Sequence, residues 1–285
     1  MSQVSCMSFN ILSCDTHDCG FEKPADRIRH VIQTIKEQNP DLLGVQEACN
    51  LSCQNPENKR CHGFDWCEPM LNALDQLGYG YSILRDQEGF ALPRQTIACG
   101  LIIFFKKDRF ELKESGACPY PHDKGRYYQW AKLLDKEYKK DILFTNTHFS
   151  IDQKVVDAHS SVAGGAYRTV EAAMLLNFWA KNCDETTALF ATGDYNSTPL
   201  SEAQSLLRSK QFKPSYLIAE IPDELGTVNC SKTAHIIDYC YVNPSAQKVL
   251  EYHPITTRYE SDIDCKLKGY ASDHRAIMTY CDYLS

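Results

Sequence analysis

Acidic, amide and imidazole side chains stand where apolar segments of this chain end. The apolar run ALFAT leads into Gly193, Asp194 and Asn196. Residues two apart on extended chain face the same way, so the carboxylate and the amide point at one spot. This pair suits a reaction in which water is deprotonated beside a phosphate. The same letters also form a common strand-to-turn sequence, so a structural role stays open.

Two later segments add a possible acid–histidine pair. Asp273 and His274 stand in SDHRAI directly before an apolar run, and Asp238 interrupts the apolar run IIDYCYV. A carboxylate within an apolar segment is costly unless it is paired, and a histidine is its natural partner. We therefore expect Asp238 to orient His274. The alternatives are a surface-facing carboxylate on an edge strand and an Asp-His turn.

Three earlier positions repeat the pattern. Glu47 ends the apolar run LLGVQ, and its carboxylate is a hard-oxygen ligand of the kind that Mg²⁺ prefers. Asn10 lies in the first apolar segment, where an amide could bind a metal or a phosphate oxygen. His148 ends FTNTH, with Asn146 on the same face. A lone strand histidine is more often a hydrogen-bonded structural residue, and that alternative stays open.

The elements that must position these side chains alternate between strands and helices. Periodicity predicts an amphipathic helix over 25–38, in which Ile28, Val31, Ile32 and Ile35 form the apolar stripe. Further helices are predicted over 70–77, 164–182 and 200–209, and apolar strands lie between them. No repeat or low-complexity linker interrupts this order. We predict one α/β domain over 1–285, with mixed sheets packed between helices and the polar residues gathered at one rim.

The order of these motifs resembles the endonuclease/exonuclease/phosphatase superfamily, which is built on the deoxyribonuclease I fold. An asparagine, QE, TH, GDxN, IDY and SDH follow one another at strand ends along nearly the whole chain. The resemblance implies a four-layer α-β-β-α sandwich, with two mixed β-sheets packed face to face and helices outside. It also implies a divalent-metal-dependent phosphoesterase that attacks a phosphomonoester or phosphodiester in line with activated water.

The resemblance assigns a role to each matched residue. Glu47 would be the principal Mg²⁺ ligand, with Asn10 and Asp273 as companions, and Mn²⁺ could substitute. Asp194 would be the general base, Asn196 the phosphate-orienting amide, His148 a leaving-group or phosphate contact, and His274 a second histidine paired with Asp238. Arg126 and Arg168 are possible phosphate contacts, or ordinary ion-pairing arginines.

The chain departs from its relatives at two positions. Some members place a carboxylate where this chain has Cys99, to hold the histidine that corresponds to His148. Some nucleases carry an acid where this chain has Leu12, so a second metal site is not expected.

The composition of the chain favours some classes of substrate over others. The net charge of −7 and pI of about 5.7 do not favour a nucleic-acid partner. We therefore expect a phosphorylated small molecule or a phosphodiester headgroup. A DNA-repair or 3′-5′ RNA nuclease is the alternative, for which Tyr127, Tyr128 and Trp130 beside Lys124 and Arg126 offer a stacking surface, if they are not simply strand residues. A third possibility is an inactive binding module.

The sequence also allows predictions about the state of the cysteines and the location of the protein. The chain has 14 cysteines, and Cys49, Cys53, Cys61 and Cys67, with His62, fall in one polar segment. They could bind zinc, form disulfides or remain thiols. With no signal peptide or apolar span in the sequence, a cytoplasmic location is expected.

Overall fold

Two mixed β-sheets form the centre of the protein. The computed structural model describes residues 3–13, 20–49, 64–84, 100–121, 125–151, 163–219, 226–228, 235–246 and 248–283. The strands are β1 (Gln3–Asn10), β2 (Leu42–Gln46), β3 (Tyr79–Ile83), β4 (Leu101–Lys106), β5 (Phe110–Pro119), β6 (Tyr127–Asp135), β7 (Lys140–His148), β8 (Ala188–Asp194), β9 (Lys213–Pro214), β10 (Asp238–Val242), β11 (Lys248–Pro254) and β12 (Ile277–Asp282). The first sheet has the order β11-β12-β1-β2-β4-β3, and the second has the order β5-β6-β7-β8-β10-β9.

The helices pack against the outer faces of the sheets. They are α1 (Pro24–Gln38), α2 (Cys67–Gln76), α3 (Ala163–Asn182), α4 (Glu202–Leu207) and α5 (Ser215–Ile218), and a 3₁₀ turn spans Pro244–Ala246. Helix α1 begins at Pro24, whose fixed φ suits a first helical turn, and ends at Asn39 in the left-handed conformation. This arrangement confirms the predicted sandwich of two mixed sheets with helices outside.

Apolar side chains fill the layers on both sides of the first sheet. Val31 and Ile35 of α1 join Met70 of α2 in one cluster with Phe9 and Val45. A second cluster lies between the two sheets and continues under α3. Strands β2, β8 and β10 are buried along their whole length, which explains why they read as nearly unbroken apolar runs. No helix in the described part of the chain is long and apolar enough to cross a membrane.

The strand directions bring the polar strand ends to one rim. Strands β1 and β2 are parallel, and so are β7 and β8. A helix returns the chain within each pair, so the two carboxyl ends of a pair point the same way. The hydrogen bonds of Asn10 to Asp194 and of Gln46 to Asn146 show that both pairs end at the same rim. Strands β10 and β12 run antiparallel to β8 and β1, so the residues that precede or begin them reach the same rim.

A buried amide pair joins the two sheets just below this rim. Gln46 Nε2 donates to Asn146 Oδ1 at 2.7 Å and to Ser8 Oγ at 3.1 Å. Asn146 Nδ2 in turn donates to the Val45 carbonyl at 2.8 Å, and Thr192 Oγ1 to Asn146 Oδ1 at 3.2 Å. Hydrogen-bonded amides in a dry interior have few alternative arrangements, so this network fixes how the sheets face each other. Gln46 Oε1 is the one atom of the amide pair that has no hydrogen-bond partner among the described residues.

The close approach of the sheets at this network predicts a stability loss for Gly44→Ala. A Cβ at Gly44 would lie 1.9 Å from Thr192 Oγ1 and 2.8 Å from Asn146 Oδ1. We expect unfolding to become easier by about 1–3 kcal/mol in urea denaturation. The same substitution in a Thr192→Ala background should cost less, because the nearest atom is gone. Equal costs in the two backgrounds would show that this contact does not set the sheet spacing.

Candidate active site

The strand register places three predicted residues opposite one another. His148 faces Asp194 across β7 and β8, and Asp238 faces Asp194 across β8 and β10. Gly193 allows the close approach, because a Cβ there would lie 2.6 Å from the Thr147 carbonyl oxygen. The central position of Asp194 thus follows directly from β-sheet pairing.

Three side chains converge on one carboxylate oxygen of Asp194, Oδ2. Asn10 Nδ2 donates to Asp194 Oδ2 at 2.9 Å, and His148 Nε2 lies 3.3 Å from the same oxygen. His274 Nε2 lies 3.8 Å from it. The other oxygen, Oδ1, accepts from the backbone N–H of Asn196 at 2.9 Å. Asp194 is 2% exposed, so these partners replace the water that an ionised carboxylate requires.

Glu47 lies close to Asp194, although it follows β2 of the first sheet and Asp194 ends β8 of the second. Asn10 Nδ2 donates to Glu47 Oε1 at 3.0 Å, so the amide of Asn10 connects the carboxylates of Glu47 and Asp194. Glu47 Oε2 accepts from the backbone N–H of Ser13 at 3.0 Å and from its hydroxyl at 3.2 Å. Glu47 has a φ of 67°, an unusual conformation for a non-glycine residue, and it immediately follows β2.

The predicted acid–histidine pair is present. His274 Nδ1 lies 2.9 Å from Asp238 Oδ2, and Asp238 is 1% exposed. Asp238 therefore does not face solvent. His274 Nε2 lies 3.9 Å from Asp273 Oδ1, and Asp273 remains 30% exposed. The imidazole of His274 thus lies among three carboxylates, with its far nitrogen turned to Asp194 and Asp273.

The mutual burial of these groups separates their pKa values. Burial raises the pKa of Asp238, partly against the attraction of His274. Burial would also raise the pKa of Asp194, but the charges of His148 and His274 outweigh it and lower that pKa well below its usual range. Burial would lower the pKa of His274, but its three acidic neighbours, Asp238 first, raise it well above its usual range. At neutral pH the metal-free site therefore pairs an ionised Asp194 with a protonated His274.

The donor set fits a divalent cation. Burial raises the pKa of Asp273, the nearby His274 opposes this, and the negative charge of Glu47 raises it further. Two neighbouring carboxylates that repel each other are suitable ligands for a hard cation such as Mg²⁺ or Mn²⁺. Oxygen and nitrogen atoms of Asp194, Asp238 and His274 also lie within 4.8 Å of one another. Because Asp238 Oδ2 is paired with His274 Nδ1, we interpret this second group as an acid–base cluster.

The remaining predicted residues lie around the cluster. Asn196 Nδ2 donates to the Phe149 carbonyl at 2.9 Å, which fixes the amide beside Asp194. Arg168 Nη1 lies 3.4 Å from the Ser150 carbonyl oxygen, two residues beyond His148. Arg126 is buried next to the start of β6. Phosphate binding by either arginine stays a prediction.

Several expectations concern residues that the structure places differently or does not describe. Tyr127 and Tyr128 are buried, and the Tyr127 hydroxyl accepts from the backbone N–H of Leu101, so they are strand residues. The predicted departure at Cys99, the cysteine segment with Cys53, Cys61 and His62, and the predicted contact Lys124 lie outside the described residues. Cys49 and Cys67 are buried, and the Cys67 thiol donates to the Ala48 carbonyl at 2.9 Å.

The sequence analysis missed Ser13 and Arg27. Ser13 donates twice to Glu47, and Arg27 is a fully buried arginine beneath the rim. A polar residue three positions after Asn10 was the only available signal for Ser13. Arg27 lies one helical turn before Val31, at a spacing that places both on the buried face of α1.

The pair formed by Asp238 and His274 predicts a measurable titration change. In metal-free protein, Asp238→Asn removes the nearest negative charge, so the pKa of His274 should fall and the ring should lose its proton at lower pH. Imidazole ¹⁵N chemical shifts followed by NMR measure this midpoint. Asp282→Asn, an acid bound to Lys248 at the far end of β12, is the control and should leave the midpoint in place. An unmoved midpoint in Asp238→Asn would contradict the pairing.

Similar folds occur in solved structures of enzymes. The human nocturnin catalytic domain with bound sulfate has a TM-score of 0.71 and 18% identity, over 99% of this chain and 94% of that one. Mannosyl-6-phosphatase Bt3783 of Bacteroides thetaiotaomicron has a TM-score of 0.75 and 20% identity, over 98% and 100%. Humanized D. rerio TDP2 has a TM-score of 0.67 and 15% identity, over 99% and 100%.

Sequence comparison supplies the family. No curated protein sequence matches the chain significantly. The model of the Endonuclease/Exonuclease/phosphatase family matches residues 7–274, which include every predicted site residue. This match and the two-sheet sandwich agree with the order of motifs seen in the sequence. The chain belongs to the Endonuclease/Exonuclease/phosphatase family, whose members hydrolyse phosphoester bonds.

Proposed function

We propose that this protein is a Mg²⁺-dependent hydrolase of a phosphorylated small molecule or a phosphodiester headgroup. The observation that carries the proposal is the convergence of Asn10, His148 and His274 on one oxygen of a buried, ionised Asp194. Hydrolysis of a phosphoester needs a base for water and donors for the phosphoryl oxygens. This cluster offers both on one rim.

Asp194 accepts the proton of the attacking water in this proposal. Its lowered pKa keeps it ionised, and the N–H of Asn196 and the amide of Asn10 hold its two oxygens in place. A fixed carboxylate can hold water in line with the phosphorus–oxygen bond that breaks, which removes much of the entropic cost of the reaction. Both imidazoles lie beside this oxygen, so a phosphate that binds next to Asp194 would meet them.

The two histidines donate hydrogen bonds to the oxygens of the phosphoryl group. His274 is held at Nδ1 by Asp238, so its Nε2–H points into the site as a charged donor. His148 approaches Asp194 from β7, on the side of β8 opposite to β10, which carries Asp238. Donors already in position where negative charge develops stabilise the transition state more than mobile water does. His148 is the residue placed to support the leaving oxygen.

Glu47 and Asp273 would hold the cation, with Asn10 beside them. When bound, Mg²⁺ neutralises charge on the phosphoryl oxygens and on the leaving group. The fit rests on the placement of both carboxylates beside Asp194, Glu47 through Asn10 and Asp273 through His274. The Ser13 donors keep Glu47 oriented. Mn²⁺ shares these oxygen ligands and should substitute.

The substrate class is supported by charge and by burial. The chain carries a net charge of −7, and Tyr127 and Tyr128 are not exposed to stack on bases. Trp130 packs on Phe178, with ring centroids 5.7 Å apart. These features favour a small phosphorylated substrate over a long polyanion. The fold of a mannosyl-6-phosphatase makes sugar phosphates the first compounds to test.

A substrate panel combined with Asp194→Asn tests the proposal. With Mg²⁺, we expect turnover of at least one sugar phosphate, inositol phosphate or phosphodiester headgroup, and a loss of about 10³-fold or more in kcat in Asp194→Asn. Removal of Mg²⁺ by EDTA should abolish turnover. The measurement is release of phosphate or alcohol at saturating substrate.

Asp184→Asn is the matched control. Asp184 precedes the same strand, β8, at its other end, where its carboxylate accepts from Thr186 and Thr187. It should retain wild-type turnover. Undiminished activity in Asp194→Asn would refute its role as base, and preference for abasic DNA or poly(A) over all small substrates would replace the proposed substrate class with a nuclease.

A further inference from the structure

Arg27 is a buried cation that the proposed reaction does not use directly. It lies in α1, is fully buried, and its described hydrogen bonds all go to backbone carbonyl oxygens. Burial of a guanidinium is expensive unless each of its donors is matched. One acceptor is the nearby Glu22 carbonyl, which accepts from Nε at 3.3 Å. The other two segments that provide acceptors lead to the candidate cation ligands.

The first segment leads from β1 to Glu47. Arg27 Nη1 donates to the Ile11 carbonyl at 2.7 Å, and Nη2 donates to the carbonyl of Leu12. Leu12 has a φ of 53°, and its N–H donates to Asn10 Oδ1 at 3.0 Å. The next residue, Ser13, is the double donor to Glu47 Oε2. Arg27 thus holds the turn that positions Ser13, and Ser13 orients the Glu47 carboxylate.

The second segment leads to Asp273. The same Nη1 of Arg27 donates to the Ala271 carbonyl at 3.0 Å. Ser272, the next residue, donates through Oγ to Asp273 Oδ1 at 3.3 Å and accepts from the N–H of His274 at 3.1 Å. One guanidinium nitrogen therefore joins the stretch that carries Ser13, the donor to Glu47, to the stretch that carries Asp273.

Trp66 completes this support from the side of α2. The Arg27 guanidinium lies 5.0 Å from the centre of the Trp66 ring, at cation–π distance. Trp66 Nε1 donates to the Ser13 carbonyl at 3.1 Å. Both side chains are fully buried.

We propose that Arg27 is the positioning residue of the cation site. It holds the turn before Ser13 and the segment before Asp273 at a fixed separation, so that Glu47 and Asp273 can bind one ion together. This inference rests on the proposed function, because it takes those two carboxylates as the ligands. Arg27 itself contacts neither the ion nor the substrate. The rigid fork of a guanidinium can reach both segments, whereas a single ammonium cannot match its geometry.

Direct metal binding tests the inference without reference to turnover. Mg²⁺ is titrated into the purified protein in a calorimeter, and Mn²⁺ binding is followed by electron paramagnetic resonance. Arg27→Met should weaken the Kd for both ions by about 10- to 100-fold, the usual effect of removing an outer support of a metal ligand. Arg27→Lys, which keeps the charge but loses the fork, should fall between Arg27→Met and the wild type.

Arg109→Met is the matched control for stability. Arg109 is also largely buried and pairs with Asp41 and Asp135 at the other end of the sheets. This variant should have a lower Tm but the wild-type Kd for the ions. All titrations are made well below the Tm of each variant. If Arg27→Met does not fold, Trp66→Phe takes its place. This variant keeps an aromatic ring but loses the N–H that donates to the Ser13 carbonyl.

Glu47→Gln separates the two proposals. Loss of ion binding in Glu47→Gln, with weakened binding in the Arg27 or Trp66 variants and unchanged binding in Arg109→Met, supports the inference. Wild-type affinity in both Arg27→Met and Arg27→Lys overturns the inference while the cation site stands. If Arg27→Met does not fold, wild-type affinity in both Arg27→Lys and Trp66→Phe has the same meaning. Unchanged binding in Glu47→Gln overturns the cation site of the proposed function, and this inference with it.

Discussion

The sharing of Asp194 Oδ2 is the interaction on which the site depends. A buried carboxylate is stable in its ionised form only when donors surround it, and here they come from both sheets: Asn10 from the first, His148 and Asn196 from the second, and His274 from the segment before β12. Three of these donors also donate to a further acceptor: Asn10 to Glu47, Asn196 to the Phe149 carbonyl and His274 to Asp238. The Nδ1 of His148 is buried with no hydrogen-bond partner among the described residues. The separation of pKa values follows from this arrangement, since ionised Asp194 and protonated His274 stabilise each other.

The fold provides this convergence through sheet pairing. Parallel pairs at the centre of each sheet direct their carboxyl ends to one rim, and the Gln46–Asn146 amide pair keeps the sheets in register immediately beneath it. Gln46 precedes Glu47, and Asn146 lies two residues before His148. The same few residues therefore determine both the packing of the sheets and the placement of the chemistry, and a change in packing there should be felt at the active site.

The sequence predicted the parts of the site that depend on local pattern. Apolar runs that end in Glu47, His148 and Asp194 identify strands, and the cost of burying Asp238 predicted its histidine partner. The acceptors of Arg27 could not be predicted in this way, because Ala271 and Ile11 meet it only after the chain has folded. The stripe assigned to α1 was incomplete for the same reason. Ile28 packs against the cluster of Val31 and Ile35, but Ile32 is only half-buried, and Arg27 and His30 also face inward. Strand β11 was missed because it is an edge strand with an irregular apolar pattern.

The central claim is that residues from the first strand to the last form one pocket for a cation and a phosphoryl group. A crystal structure with Mn²⁺ and phosphate, recorded at a wavelength where manganese scatters anomalously, tests it most directly. We expect the manganese peak between the carboxylates of Glu47 and Asp273, and the phosphate in contact with His148 and His274. A manganese peak away from Glu47, or a phosphate bound elsewhere on the surface, would contradict the account.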